Sequence, residues 1–408
     1  MPHSRRDAET YVDLSHDKAI NHLKTQENEL ATEPSNSGDL NKLLKAWQNY
    51  WGFFYHYLRS RFGPRHPYQC YPTADGETGI FRMEPGTGTR LALLSDWATD
   101  TVESDAVGFL VGQYQPHYTA HLGDVYFVGA PQEIAYNFTV DDASFPYGTG
   151  GSFALAGNHE MYSNGNAYFQ KLLPQMKIRQ QGTEFTQRAG FFCLENDHWR
   201  VIGLDTGYTS VRRPLIEYIF PPDCHLRDEQ VAWLRDTLRL GDPADRRGLI
   251  FLSHHPYFTA WRKNFYRPAE QLREVLGTAD RPIVWFWGHE HRLALYEKQR
   301  HAKGPEAYGR CIGNGGMPVE LDPPRWPDAA PIRYYDSRVR TQLRRTSVGF
   351  NGFALLTFEG PVVQVDYRDV NDARIFSEQW EVNPQTGELR HREFGGETPL
   401  TRLIEEKS

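Results

Sequence analysis

The chain has 408 residues, 39% of them hydrophobic and 24% charged, which excludes wholesale disorder and leaves room for one large domain with additions or for two. A net charge of -7 and a pI near 6.2 argue against broad, nonspecific nucleic-acid binding, while a local anion site built on metal ions stays compatible with them. The N-terminus carries no apolar stretch like a signal-peptide core and no run approaches membrane-spanning length, so the expectation is a cytoplasmic protein with no membrane partner. Cys70, Cys193, Cys224 and Cys311 have no paired spacing and are read as reduced structural thiols.

Residues 1–88 read as an N-terminal helical extension. Residues 1–36 are polar and charged, with one helix predicted over 16–31. From Asp39 to Phe62, Leu40, Leu43, Leu44, Trp47, Trp51, Phe54 and Leu58 fall at helical spacing; Ser37 or Asp39 can cap the start and Gly63-Pro64 stops it. Tyr50, Phe53, Tyr55 and Tyr57 widen the apolar face, which suits packing on the main domain or across a homo-oligomer. A membrane-surface role would call for a denser Lys/Arg face.

Near Arg90 the character changes. LALLSD, TAHLGD, SFALAGNHE, WRVIGLDTG, GLIFLSHHP and PIVWFWGHEH are apolar runs of strand length that stop at Asp, Asn or His, separated by helical or irregular stretches such as 227–240 and 268–276. Strands alternating with helices predict an α/β domain over 89–383, and such folds place ligands beyond the carboxyl ends of the strands. Residues 322–346, rich in proline and arginine, read as an excursion from it, with Arg333, Arg338, Arg340, Arg344 and Arg345 as a solvated basic loop. GFNGFALLTFEG and PVVQVDYRDV resemble a hairpin, ARIFSEQWEV closes the sheet system, and residues 384–408 form a polar tail.

Five strand ends supply Asp96, Asp124, Asn158-His159, His254-His255 and His289-Glu290-His291. A dinuclear centre needs hard oxygen donors, imidazoles and a carboxylate that can bridge, and two ions roughly 3.5–4 Å apart can clamp a transferring phosphoryl group. Seen alone, each motif has a plainer explanation: an Asp at a strand end often caps the next helix, and Gly-Asn is often a turn. Their joint order is what points to a metal site.

In that order the chain resembles the calcineurin-like metallophosphoesterase superfamily, whose blocks are Asp-x-His, Gly-Asp, Gly-Asn-His-Asp/Glu, a His before x-Pro, and Gly-His-x-His. Here they read Asp96-Trp97-Ala98, Gly123-Asp124, Gly157-Asn158-His159-Glu160, His254-His255-Pro256 and Gly288-His289-Glu290-His291; the last four match in full, the first in part. The resemblance implies a four-layer αββα sandwich of two mixed β-sheets flanked by helices. It implies two divalent or trivalent transition-metal ions (Mn, Fe or Zn). Asp124 would bridge, Asn158, His254 and His289 would complete one ion's shell, and Asp96 and His291 would bind the other. His159 would act at the leaving-group oxygen while a metal-bound hydroxide attacks a small-molecule phosphate ester. Whether that ester is a monoester or a diester stays open.

The first block departs from the pattern. Ala98 stands where the family has His. Purple acid phosphatases also lack that His, and their Asp-Trp-Gly resembles Asp96-Trp97-Ala98. They compensate with a tyrosine three residues after the second Asp, where this chain has Phe127, with Tyr126 one place earlier. Strand alternation would turn Tyr126 away. The first ion is therefore expected to lack a fourth protein ligand, leaving water, substrate or Asp100 to fill in, and to bind more weakly than its partner. The alternative reading is a metal-binding pseudoenzyme or scaffold with an impaired first site. His255 is expected at the rim or in the core, His117, His121, His198 and Asp205 in structural roles, and Gly313-Asn314-Gly315-Gly316 in a turn or a close backbone approach.

Overall fold

A computed structural model describes residues 63–84, 88–139, 144–211, 223–261, 264–301, 303–324, 330–343 and 346–394. The helices read from residues 16–31 and 39–62 lie outside that set. The strands, in chain order, are β1 (Ile80–Arg82), β2 (Thr89–Leu94), β3 (Tyr118–His121), β4 (Gly151–Ala154), β5 (Lys177–Gln180), β6 (Thr183–Thr186), β7 (Phe192–Glu195), β8 (Trp199–Gly203), β9 (Gly248–Ser253) and β10 (Ile283–Trp287). They continue with β11 (Leu293–Gln299), β12 (Ala307–Ile312), β13 (Ile332–Tyr335), β14 (Thr341–Leu343), β15 (Thr346–Val348), β16 (Gly352–Glu359), β17 (Val362–Asp369), β18 (Arg374–Val382) and β19 (Leu389–Glu393).

Two sheets result. One has eight strands in the order β1-β7-β8-β9-β10-β12-β11-β13, the other nine in the order β19-β18-β17-β16-β2-β3-β4-β5-β6, and β14 and β15 form a separate hairpin. Both are mixed. Parallel pairing holds β2 to β3 and β3 to β4 in one sheet, and β8 to β9, β9 to β10 and β10 to β12 in the other. Those are the strands whose sequences run apolar almost without a break, as expected of strands covered on both faces.

Alternation explains the layers. Leu91, Leu93, Ile250, Leu252, Val284 and Phe286 share one core cluster between the sheets. Their neighbours Leu249, Phe251, Ile283 and Trp285 face the other way, onto Trp233, Leu234, Leu272 and Leu276 of the outer helical segments Trp233–Thr237 and Tyr266–Leu276. Ala92 and Leu94 face Val107 and Val111 of the helix Val102–Gln113 on the opposite flank. Helix, sheet, sheet, helix is the expected four-layer sandwich.

Short pieces outside the expected core complete it. β1, within the segment read as an N-terminal extension, pairs in parallel with β7, and β19, within the segment read as a tail, pairs with β18. β13 takes part of the 322–346 excursion into the eight-stranded sheet beside β11. Three arginines there are tied down, Arg333 to Glu393, Arg338 to Asp336 and Asp369, and Arg340 to Glu103, while Arg344 and Arg345 lie outside the described residues. Those three anchor the excursion to the domain, where the sequence suggested a solvated loop.

A buried ion pair crosses between the sheets. Arg310 on β12 donates from Nε and Nη2 to the two carboxylate oxygens of Glu378 on β18, both at 2.7 Å, and both side chains are essentially inaccessible. Tyr367 and His391 add contacts to the same carboxylate at 2.7 and 2.8 Å. Burial works against the ionised Glu378, but Arg310 and His391 outweigh it and hold its pKa down to about 2. Glu378→Gln leaves a buried guanidinium without its counter-charge and should lose roughly 3–5 kcal/mol in urea unfolding at neutral pH. Because the folded pKa is depressed, the wild-type contribution is present above about pH 4.3 and is lost as pH falls toward 2. A wild type and variant that differ equally at pH 7 and pH 2 would overturn this account.

Candidate metal centre

The parallel strands of both sheets deliver their carboxyl ends to one edge. Asp96 follows β2, Asp124 follows β3, Asn158 opens the short helix Asn158–Tyr162 after β4, His254 follows β9, and His289 and His291 follow β10. Asp96, Asp124 and His289 leave their strands in the left-handed region, at φ 54°, 69° and 67°. That conformation costs a non-glycine residue about 1–3 kcal/mol and persists where the surroundings enforce it, most often at functional sites.

All six residues read as metal ligands come together. His254 Nε2 lies 3.2 Å from Asp124 Oδ2 and 3.2 Å from Asn158 Oδ1; His289 Nδ1 lies 3.0 Å from Asn158 Oδ1 and 3.2 Å from His254 Nε2. On the other side, His291 Nε2 is 3.7 Å from Asp96 Oδ1. Second contacts aim these atoms. The Leu122 carbonyl, 3.1 Å from His254 Nδ1, accepts a hydrogen bond from that nitrogen and so turns Nε2 toward the centre. Asn158 Nδ2 donates to the Tyr162 hydroxyl at 3.1 Å, which turns the amide oxygen inward. Ser95 Oγ and the His289 N–H hold Asp96 Oδ2 at 2.7 and 2.9 Å.

Two motif glycines permit this crowding. A Cβ on Gly157 would sit 2.0 Å from Asp124 Oδ1, and one on Gly288 would sit 1.7 Å from Ser95 Oγ and 2.4 Å from Asp96 Oδ2. Only a residue without a side chain fits at either place.

The field at the centre is negative. Burial would push the His254 imidazole down, yet Asp124, Asp96 and Glu160 outweigh it and hold its pKa at about 9. Burial lifts Asp96 to about 6, with Asp124 adding to the rise and His254 opposing it. Buried carboxylates, an amide oxygen and imidazoles without a thiol form a donor set suited to manganese, iron or zinc, so the residues fit the expected ions.

Tyr126 does not follow the sequence expectation. Its hydroxyl donates toward Asp96 Oδ1 at 2.9 Å and Asp124 Oδ2 at 3.1 Å, and lies 2.9 Å from His291 Nε2. β3 ends at His121, so Tyr126 sits in a loop where strand alternation does not apply. The place expected to lack a fourth protein donor thus has a phenol oxygen beside it. Asp100, the carboxylate suggested by sequence as a substitute, is exposed and bonds through its backbone N–H to Asn137. Tyr126 was visible in the sequence; the signal missed was that the strand had already ended.

His159 stands at the lip. Its Nδ1 is 2.6 Å from the Phe127 carbonyl, its Nε2 is 3.7 Å from Asp124 Oδ2, and its side chain is 21% exposed, so one nitrogen is anchored and the other faces the cleft. His255 is buried, bonded to Thr206 Oγ1 at 3.0 Å, and offers a nitrogen within 4.8 Å of those of His254 and His289. Glu320, which sequence reasoning did not single out, approaches His291 Nδ1 at 3.9 Å and is held by Arg292 at 2.8 Å. His121 is packed among Trp97, Phe138 and Phe145, and burial lowers its pKa to about 3. Asp205 caps the turn at Tyr208, a supporting place. Gly315 donates its N–H to the Ser95 carbonyl, so the glycine-rich turn lies against the Asp96 loop.

The calcineurin-like phosphoesterase family profile matches residues 89–293, the span that carries all five blocks, and the chain belongs to that family. No functionally curated protein matches it. Among solved structures, GAP50, the anchor in the inner membrane complex of Plasmodium, shares 13% identity over 73% of this chain and 90% of its own, with a TM-score of 0.49. An uncharacterized predicted phosphoesterase from Streptococcus pneumoniae shares 12% identity over 76% of this chain and 100% of its own, with a TM-score of 0.27. A Vps29 single mutant from Entamoeba histolytica shares 9% identity over 75% and 99%, with a TM-score of 0.23. Among the described residues no helix is long and apolar enough to cross a membrane.

The glycine packing can be tested directly. Gly157→Ala places a methyl group against Asp124 and should destabilise the fold by about 1–3 kcal/mol, while lowering the metal content of purified protein. Unfolding in urea and elemental analysis read the two effects; unchanged stability and metal content would contradict the packing argument.

Proposed function

We propose that this protein is a metal-dependent phosphoesterase that hydrolyses a phosphate monoester or diester of a small molecule. The observation that carries the reading is the convergence of Asp96, Asp124, Asn158, His254, His289 and His291 on one edge, with a half-anchored His159 beside them. In this reading Asp124, Asn158, His254 and His289 would hold one cation, and Asp124, Asp96, His291 and the Tyr126 hydroxyl would hold a second. When bound, such a pair supplies positive charge for the phosphoryl oxygens and acidifies a water for in-line attack.

The chain's own residues do the rest. Asp96 and Asp124 set the negative field that retains cations, and Ser95 and the His289 N–H keep Asp96 from rotating out of it. With Nδ1 committed to the Phe127 carbonyl, His159 presents Nε2 toward the departing oxygen, where it delivers a proton or stabilises the developing charge. In this reading Tyr126 would give the first ion a fourth protein donor, which weighs against reading the site as impaired.

Hydrolysis of model mono- and diesters, with and without manganese, should be metal-dependent. His159→Ala should lower kcat by roughly 10²–10⁴. Asn158→Ala should abolish turnover through loss of an ion. Equal trace activity in all three proteins, with metal retained, would sink the enzyme reading and leave a metal-binding scaffold. Separately, Tyr126→Phe should weaken one of two ions in a chelator titration and leave the other unchanged; two unaltered ions would refute its place as a donor.

A further inference from the structure

Every backbone N–H from Asp124 to Ala130 has a partner. Asp124 and Val125 donate to the Glu160 carboxylate at 3.2 and 2.8 Å, Tyr126 to the Ala98 carbonyl at 2.9 Å, and Gly129 to the Val125 carbonyl at 2.9 Å. The remaining three, Phe127, Val128 and Ala130, donate to Glu133, the latter two at 3.1 and 2.7 Å. Glu133 is 3% exposed, in the helical turn Pro131–Ile134. Its own carbonyl accepts from Asn137 Nδ2 at 2.8 Å, and Asn137 Oδ1 accepts the Asp100 N–H at 3.2 Å. The clamp is therefore braced against the loop that follows Asp96.

Two groups of the proposed site hang from the clamped turn. One is the Tyr126 hydroxyl, in contact with Asp96, Asp124 and His291; the other is the Phe127 carbonyl, 2.6 Å from His159 Nδ1. We propose that Glu133 is a positioning residue that sets Tyr126 and His159 together, by gathering the N–H groups of Phe127, Val128 and Ala130 on one buried carboxylate. The Tyr126 half rests on the metal-centre reading above; the His159 half does not. Glu133→Gln keeps the size of the side chain but turns an amide NH₂ toward N–H donors, so at least one of the three loses its acceptor.

The test uses the full chain. A chelator titration compares wild type, Glu133→Gln, Tyr126→Phe and the double variant. Glu133→Gln should weaken one ion by about tenfold or more, the effect expected when support behind a metal ligand is lost. It should spare the other ion and add nothing in the Tyr126→Phe background. With ferric ion, the visible phenolate charge-transfer band expected of wild type should shift or fade. Nitrogen-15 NMR of the His159 ring should show a single Nδ1–H tautomer in wild type and a mixture in Glu133→Gln. Additive or equal weakening of both ions, or an unmoved His159 tautomer, would overturn the proposal. A wild type that binds no metal would instead defeat the metal-centre reading, and the tautomer would still decide the role of Glu133. If Glu133→Gln does not fold, Glu133→Asp, which keeps the carboxyl group and shortens the reach, is read in the same ways.

Discussion

The His289 N–H, at the end of a strand in the eight-stranded sheet, donates to Asp96 Oδ2, at the end of a strand in the nine-stranded sheet. This contact requires the two sheets to meet with their parallel strands ending at the same edge. That condition brings Asp96, Asp124 and Asn158 from one sheet against His254, His289 and His291 from the other. The apolar interior between the sheets drives their association without direction. Polar contacts across it, this one at the edge and Arg310 to Glu378 within, select one registration. A slip of either sheet would leave a buried carboxylate or guanidinium uncompensated, a penalty of several kcal/mol.

Around the centre, buried carboxylates act as organisers as much as ligands. Glu160 gathers N–H groups from Gly157, Asp124 and Val125, so the Gly-Asp and Gly-Asn-His turns are held by one side chain. Glu133 does the same for the next stretch of the loop. Loop backbone that enters a protein interior needs partners for its N–H groups, and a short acidic residue can serve two or three at once. Of the left-handed residues, Asp124 donates its N–H into this web, to Glu160, while the His289 N–H goes to Asp96 Oδ2.

The charge balance gives the proposed chemistry its logic. Asp96 and Asp124 make a negative pocket, one that would repel a phosphate ester by itself. Arg333, Arg338 and Arg340 are engaged with carboxylates elsewhere on the domain. In the proposed function the cations reverse the sign of the pocket, and the oxygen-rich donor set retains them.

Much of this was legible in one dimension. Strand ends such as LALLSD and PIVWFWGHEH showed both the doubly covered sheets and the residues at their lips, because apolar runs of strand length and the polar residue that ends them are local features. The order of the motif blocks identified the family, and the six expected ligands do converge. What the sequence could not settle depended on where strands stop and what meets across the sandwich. Tyr126 was misread because β3 ends five residues before it, so the rule of alternating faces no longer held. β1, β13 and β19 join the sheets from segments whose composition resembles extension, excursion and tail, since edge strands are short and polar on one side. The Arg310–Glu378 pair and the Glu133 clamp join groups from different elements, and only packing determines which buried charge finds which partner.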